Sequence, residues 1–430
     1  GLIPSPFALA VNHTDYSRLI KTDCSHYEML CKLEEKFVKW SPSIFIGYNS
    51  INFDEEFLRN SLFKTLFDPY LTSRNNNNRA DLLELLRTVE FFFPDTINVP
   101  VTSKNKKTFK LDQIGPANSI NHLAHDAFGD VLATKQLAQL ISKRKPGFWQ
   151  SFLQGANKST VQKVLSEEQI IFLCQTFYGK TSAISGNLIV THPVYNFPVL
   201  FDLNYDPKEF VGLDLKDLKE TYTAGQKFLK FVKSNKGPIL LKKNQVQDSW
   251  FAKTINMSEF EKRADVLANA TFFKQNVASM LSDIADESQQ EKELSGSQED
   301  IMAEETLYTG GFPNNKDQKL KQQFQEESWS NRYDLCQQFS DKRLSYFGLR
   351  LIYEECPEVL PLNVRDKIEH SVTNQLTSIN KEKWKTCDDF DKEIEIIEND
   401  SNTKDQDFIS ELRGIKKYFE EIYIEKSMKN

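Results

Sequence analysis

The sequence predicts an α/β fold at its start, a β-rich middle and a helical end, and three observations carry that expectation. A short apolar run, SIFIGYN (Ser43 to Asn49), lies between segments whose apolar residues recur at helical spacing. After Pro146 the pattern changes to the compact apolar runs NLIV, VLFDL and ILLKK, split by Gly, Pro and Asn. From residue 301 onward long charged stretches alternate with helical apolar spacing.

Taken in order, GLIPSPFALAV reads as extended chain with two prolines. Leu30, Leu33, Phe37 and Trp40 then share one face of a helix that starts near Ser25. SIFIGYN reads as a buried strand ending in a turn at Gly47, and FDEEFLRNSLF as a helix with Asp54 and two glutamates in its first turn, where negative charge suits the helix dipole. RADLLELLRTVEFFF reads as a second apolar helix, and KNKKTFK (Lys104 to Lys110) as an exposed loop. A further helix launched at HDAFGD runs through Val131, Thr134, Ala138 and Ile141 to the stop KRKPG.

Beyond it, S-x-x-Q at Ser166 to Gln169 predicts a helix start, the apolar runs predict a small barrel or sheet, and SEFE at Ser258 predicts a capped helix reaching Leu281. DIADESQQEKELSGSQED reads as an acidic linker. The resulting boundaries are 1–146, 147–300 and 301–430.

The chain has 430 residues, enough for two or three cores, with 27% charged and 39% hydrophobic residues, a globular balance. No apolar run approaches the roughly 20 residues of a bilayer span and no signal peptide opens it, so a cytoplasmic location is the default. Six cysteines form no C-x-x-C pair, which speaks against zinc and a disulfide framework and for reduced, mostly buried thiols. With a net charge of −7, nucleic acid would have to be attracted by local basic patches.

Chemistry is concentrated in two places. In HDAFGD, His125 and Asp130 would point about 140° apart if both lay inside the helix. If His125 precedes the first turn, its ring can swing back over the face carrying Asp130, with small Ala127 and Gly129 leaving room for a substrate. That suits a base beside a metal ligand; the alternative is that His125 or Asp126 only caps the helix and Asp130 is solvated. In GYNSINFDEEFLRN, Asp54 follows a buried strand, where α/β proteins gather functional groups, although taken singly an N-cap role explains it better. Two carboxylates and a histidine at helix starts suit magnesium, which takes hard oxygen ligands, with His as a general base near neutrality.

At these residues the chain resembles a known family. GYNSINFDEEFLRN, DPY at Asp68 to Tyr70, RADLLELLR and HDAFGD look like the second and third motifs of the DEDDh nucleases, specifically bacterial exonuclease I. LYTGGF and FSDKRLSYFGLRLIYEECP (Phe339 to Pro357) resemble stretches of that family's helical region, so the likeness covers nearly all of the chain. The resemblance implies a magnesium-dependent, processive 3′-to-5′ exonuclease on single-stranded DNA, releasing mononucleotides. It implies an RNase H-like exonuclease domain, an SH3-like domain and a helical domain that enclose the strand. It makes Asp54 and Asp130 metal ligands and His125 the general base. Arg59, Tyr70, Arg87 and Lys110 become DNA contacts, cations for phosphates and the tyrosine for a base, with Lys180 in FYGKTS a weaker addition. Each has an ordinary reading beside it: solvated helix arginines, a core tyrosine, a lysine of the basic loop. The implied partners are 3′ ends of single-stranded DNA and the single-stranded DNA-binding protein, the implied state a monomer.

One departure stands out. The family's first motif, Asp-x-Glu, would lie upstream of SIFIGYN, and the matches present, Asp54 to Glu56 and Asp391 to Glu393, read as the second motif itself and as a charged helix surface. The first residue is Gly1. The expectation is therefore a nuclease domain without its N-terminal strands, whose metal site lacks two carboxylates and whose chain as written has little activity. The competing expectations are a catalytically silent nucleic-acid-binding scaffold, and a DEDDh proofreading subunit or oligoribonuclease, against which the additional domains speak.

Overall fold

The computed structural model of the chain describes residues 3–12, 21–120, 127–177, 179–246, 256–295, 301–380, 382–399 and 406–425. In chain order the elements are α1 (Pro6–Asn12), α2 (His26–Trp40), β1 (Ile44–Gly47), α3 (Asp54–Lys64), β2 (Asn78–Asp81), α4 (Leu82–Phe92), α5 (Leu111–Ala117), α6 (Ala127–Arg144), α7 (Pro146–Ala156) and α8 (Lys158–Glu167). Next come β3 (Ile171–Phe177), β4 (Lys180–Thr191), β5 (Pro198–Asp202), α9 (Leu215–Thr223), β6 (Leu229–Phe231), β7 (Ile239–Lys242), α10 (Met257–Ala268) and α11 (Thr271–Ser295). The end is helical: α12 (Asn315–Glu326), α13 (Trp329–Cys336), α14 (Lys342–Glu355), α15 (Leu362–Thr377), α16 (Cys387–Asn399) and α17 (Gln406–Glu420). The chain divides into two compact units, one of Gly1–Lys39, Leu58–Pro69 and Ile301–Asn430, the other of Trp40–Phe57 and Tyr70–Asp300.

The second of these is α/β. Strands β1 and β2 pair in parallel, Ile44 opposite Asn78 through Gly47 opposite Asp81. A five-stranded antiparallel sheet follows, in the order β6-β5-β4-β3-β7. Every residue of β5 (PVLFD) is buried, which is why that strand reads as an unbroken apolar run. Its Phe201 meets Phe210, Phe228 and Phe273 with ring centroids 5.6, 5.8 and 6.0 Å away. Helix α7 lies so close to the turn before β7 that a Cβ on Gly155 would fall 2.0 Å from the carbonyl oxygen of Pro238.

The first unit is helical. Arg332 is buried against the rings of Trp329, Phe324 and Tyr27 at 3.9, 4.9 and 5.3 Å, and donates to the Tyr27 hydroxyl at 3.0 Å. A separate core joins Ile3 and Leu9 to α15, α16 and α17 through Val372, Phe390, Ile394 and Leu412.

Several expectations need correction. Residues 6–12 are helical, Pro6 standing in the first turn where its missing N–H is no loss. Glu393 is not on a charged surface: it is buried, accepts the Ser5 hydroxyl at 2.6 Å and the Phe7 N–H at 3.3 Å, and pairs with Lys385. Asn78 to Asp81 form a strand, and the helix begins only at Leu82, capped by Asp81. Ser166 belongs to the end of α8, whose cap is Asn157. Asn256, not Ser258, caps α10, and the helix breaks at Asn269 before α11 starts. The acidic stretch from Asp283 to Ser295 continues α11, consistent with its content of Glu, Gln, Lys and Ala, which favour helix; residues 296–300 lie outside the described residues. The six cysteines are free thiols, with Cys174, Cys336 and Cys387 buried. Among the described residues no helix is long and apolar enough to cross a membrane.

Candidate nucleic-acid interface

The α/β unit carries its polar chemistry at the ends of β1 and β2. At the end of β1 the chain turns so sharply that a Cβ on Gly47 would stand 2.4 Å from the Ser50 side chain, and Asn49 adopts left-handed φ 58°. The Asp81 carboxylate, opposite Gly47 in the register, gathers this turn. It accepts N–H groups from Asn49 at 2.8 Å, Ile51 at 3.3 Å and Leu83 at 3.0 Å, so one side chain caps α4 and ties down the loop leading to α3. Burial pushes the Asp81 pKa up, and the three backbone N–H groups oppose that rise.

That loop delivers Asp54 as the first residue of α3, exposed, with Glu55 turned inward and buried. Glu55 Oε2 pairs with Arg79 Nη1 at 3.2 Å and accepts the Thr72 hydroxyl at 2.7 Å. Tyr48 donates its hydroxyl to the carbonyl of Phe109, and the Arg87 guanidinium lies 5.9 Å from the Phe109 ring. Arg87 is held by Glu84 at 2.6 Å. The turn after β1, Arg87 and the segment next to Lys110 are thereby brought together, and Lys110 is exposed at the start of α5.

The other expected residues are more scattered. Asp130 is half-buried in the first turn of α6, while His125 lies outside the described residues. Tyr70 is half-buried with the Arg74 guanidinium 5.4 Å from its ring. Arg59 belongs to the helical unit, where it is buried and Nη1 donates to the Tyr308 hydroxyl at 3.3 Å. Lys180 is exposed at the first position of β4. Asp54 and Asp130 are oxygen donors of the type a hard cation takes, but among the described residues no group of three or more His, Cys, Asp or Glu is assembled to hold a metal.

A cleft of about 940 Å³ opens within the α/β unit, with Asn52, Asp81 and Glu84 on one wall and the antiparallel sheet on the other. Its rim carries Lys227, Lys230, Lys233 and Lys236 together with Tyr222 and Phe231. Lys230 lies 3.6 Å from Asp202, Lys236 Nζ donates to Asn52 Oδ1 at 3.1 Å, and Lys227 Nζ is 5.9 Å from the Tyr222 ring. Four lysines around aromatic side chains make a local positive field on an acidic chain, the pattern that follows a phosphate backbone and stacks its bases. Sequence reasoning missed them. The signal was KFLKFVKSNK, with lysines three apart interleaved with phenylalanines, but only the fold reveals that they border one cleft.

Comparison with known proteins now bears on this arrangement. Residues 301–422 match the family model described as the exonuclease I C-terminal domain. The curated exodeoxyribonuclease I of Buchnera aphidicola subsp. Baizongia pistaciae is 29% identical over 276 residues, covering 61% of this chain and 56% of that protein. The chain spans about half the length of the curated relatives it matches. A solved structure of Escherichia coli exonuclease I in complex with a dA16 oligonucleotide is 22% identical and superposes with a TM-score of 0.76 over 98% of this chain and 89% of that one. An ExoI/SSB-Ct complex gives 21% identity and a TM-score of 0.75 over 98% and 88%. The shared fold is α/β with a helical C-terminal part.

Proposed function

We propose that the chain is a member of the exonuclease I family and that the protein hydrolyses single-stranded DNA from its 3′ end, releasing mononucleotides. The observation that carries the reading to this chain is the lysine-rimmed cleft beside the ends of β1 and β2. A single strand entering it would have its phosphates neutralised by Lys227, Lys230 and Lys233 and its bases stacked on Phe231 and Tyr222. Arg87, restrained by Glu84, and the exposed Lys110 extend the cationic track within the α/β unit, where Tyr70 is a further proposed contact; Arg59 is proposed separately, in the helical unit.

Asp54 and Asp130 would hold the divalent ion, magnesium by the hardness of their oxygens, and that ion when bound stabilises charge on the attacking and leaving oxygens. His125 takes the proton of the attacking water, a role that fits an imidazole titrating near neutrality. The domain layout proposed with this reading is RNase H-like over 1–146, SH3-like over 147–300 and helical over 301–430. The partner proposed is the single-stranded DNA-binding protein, the state a monomer and the compartment the cytoplasm. The test is a single-stranded oligonucleotide labelled at its 5′ end, incubated with the full chain and magnesium. Slow shortening from the 3′ end is expected, weak because Asp54 and Asp130 are the only carboxylates proposed for the metal, and lost altogether in D54N and D130N. An intact oligonucleotide that still binds in the cleft would overturn the enzyme reading in favour of a silent binding scaffold.

A further inference from the structure

Two buried charges connect the basic rim of the cleft to the helix that presents Asp54. Arg79, on β2, and Glu55, in the first turn of α3, pair at 3.2 Å with side chains only 8% and 9% exposed. The second guanidinium nitrogen, Nη2, donates to the backbone carbonyl of Asn235 at 3.3 Å, between Lys233 and Lys236. The same loop touches β2 again at Gly237, whose φ of +61° brings it to where a Cβ would stand 3.2 Å from the Arg79 carbonyl oxygen. A parallel link runs on the solvent side, from Lys236 Nζ to Asn52 Oδ1 at 3.1 Å, in the turn that leads into α3. Thr72 holds the far side of Glu55 by its hydroxyl at 2.7 Å.

We propose that Arg79 and Glu55 form a positioning strut that couples the lysine loop, residues 233–237, to the first turn of α3, so that an anionic strand on the loop steadies Asp54. A buried ion pair adds little net stability, yet removing one partner of it is strongly destabilising, so the pair serves as a stiff connector more than as a stabiliser. Neither residue reaches a reacting atom. The coupling works in both directions, because any ligand that orders the loop must favour the same state of the turn. This inference rests on the reading of the cleft as a single-strand track, and its test separates the two.

Hydrogen exchange is followed by mass spectrometry on the full chain and on R79M, R79K and E55Q. In R79M exchange should quicken about tenfold in residues 50–57 and in 233–237 together, while the α7 segment 148–156 stays protected. R79K, which keeps the charge, should restore most of the protection, and E55Q, which keeps the shape if R79M does not fold, should loosen both segments less. Loosening of only one segment, or of all three alike, would overturn the strut. An oligothymidylate should then slow exchange at 233–237 in every variant, but at 53–57 fully in the unsubstituted chain, largely in R79K, less in E55Q and not in R79M. If it binds no variant, the single-strand reading fails while the ligand-free comparison still decides the strut. If it also protects 53–57 in R79M, the strut is refuted even though the cleft binds DNA.

Discussion

The two sheets of the α/β unit are built on opposite principles. The five-stranded antiparallel sheet is held by apolar contact: β5 is buried from end to end and its phenylalanine packs among three others. The parallel pair has four residues per strand, and its buried side chains include the charged Arg79 and Asp81. One sheet is a scaffold whose stability comes from the apolar area removed from water. In the other, long-range partners satisfy the buried charges, and the loop leading to Asp54 departs from its end. Apolar packing and buried charge are thus assigned to different sheets.

That division can be broken at its strong end first. Phe201→Ala should cost about 3–5 kcal/mol, the penalty of a large cavity in a packed core, and a smaller loss on denaturant unfolding would mean that the aromatic cluster can collapse around the gap. At the weaker sheet, Asp81→Ala should cost about 2 kcal/mol, since it removes a helix cap and leaves backbone N–H groups unpaired in a buried place. Its signature is local: exchange at residues 49–51 and 83 quickens more than in the phenylalanine core.

Binding sharpens the comparison further. Replacing Lys233 by Ala should reduce the slope of log affinity for a single strand against log salt by about 0.7, one phosphate contact, without changing the unfolding midpoint. An unchanged slope would remove that lysine from the track. The smallest effect is expected at the hairpin between β4 and β5, where His192 Nδ1 accepts N–H groups from Val194 at 3.2 Å and Tyr195 at 3.3 Å. Burial lowers the His192 pKa, so the folded state resists a proton that the unfolded state takes up. Its contribution is fully present above about pH 6.5 and is lost as pH falls from there through the folded value. H192Q should flatten this part of the stability profile, which is followed by thermal unfolding between about pH 7 and 5.

What could be read from the sequence, and what could not, follows the same division. SIFIGYN was legible as a strand and DEEFLRNSLF as a helix because an apolar run and first-turn acids are local signals, but β1 is exposed at Ile44 and half-buried beyond it rather than buried as expected. NLIV, VLFDL and ILLKK were legible as sheet for the same reason. Asn78 to Asp81 was not, because a strand carrying Arg and Asp is satisfied by Glu55, Asn235 and the amides of Asn49 and Ile51, none of them neighbours in sequence. Glu393 was misjudged as surface for a similar cause: its partners, Ser5 and Phe7, lie at the opposite end of the chain. The motif reading singled out Asp54 and Asp130 as lying at helix starts, where the structure has them, and it passed over the lysine row because three-residue spacing resembles an ordinary solvated face.

One contact in the scaffold fixes more than its own neighbourhood. With Gly155 pressed on the carbonyl of Pro238, the loop that carries Lys233 and Lys236 has no room to move toward α7 at that point. A homologue bearing any larger residue at that helical position must have shifted or rebuilt the segment opposite Asn52, so the width of the cleft depends on a residue that does not itself line it.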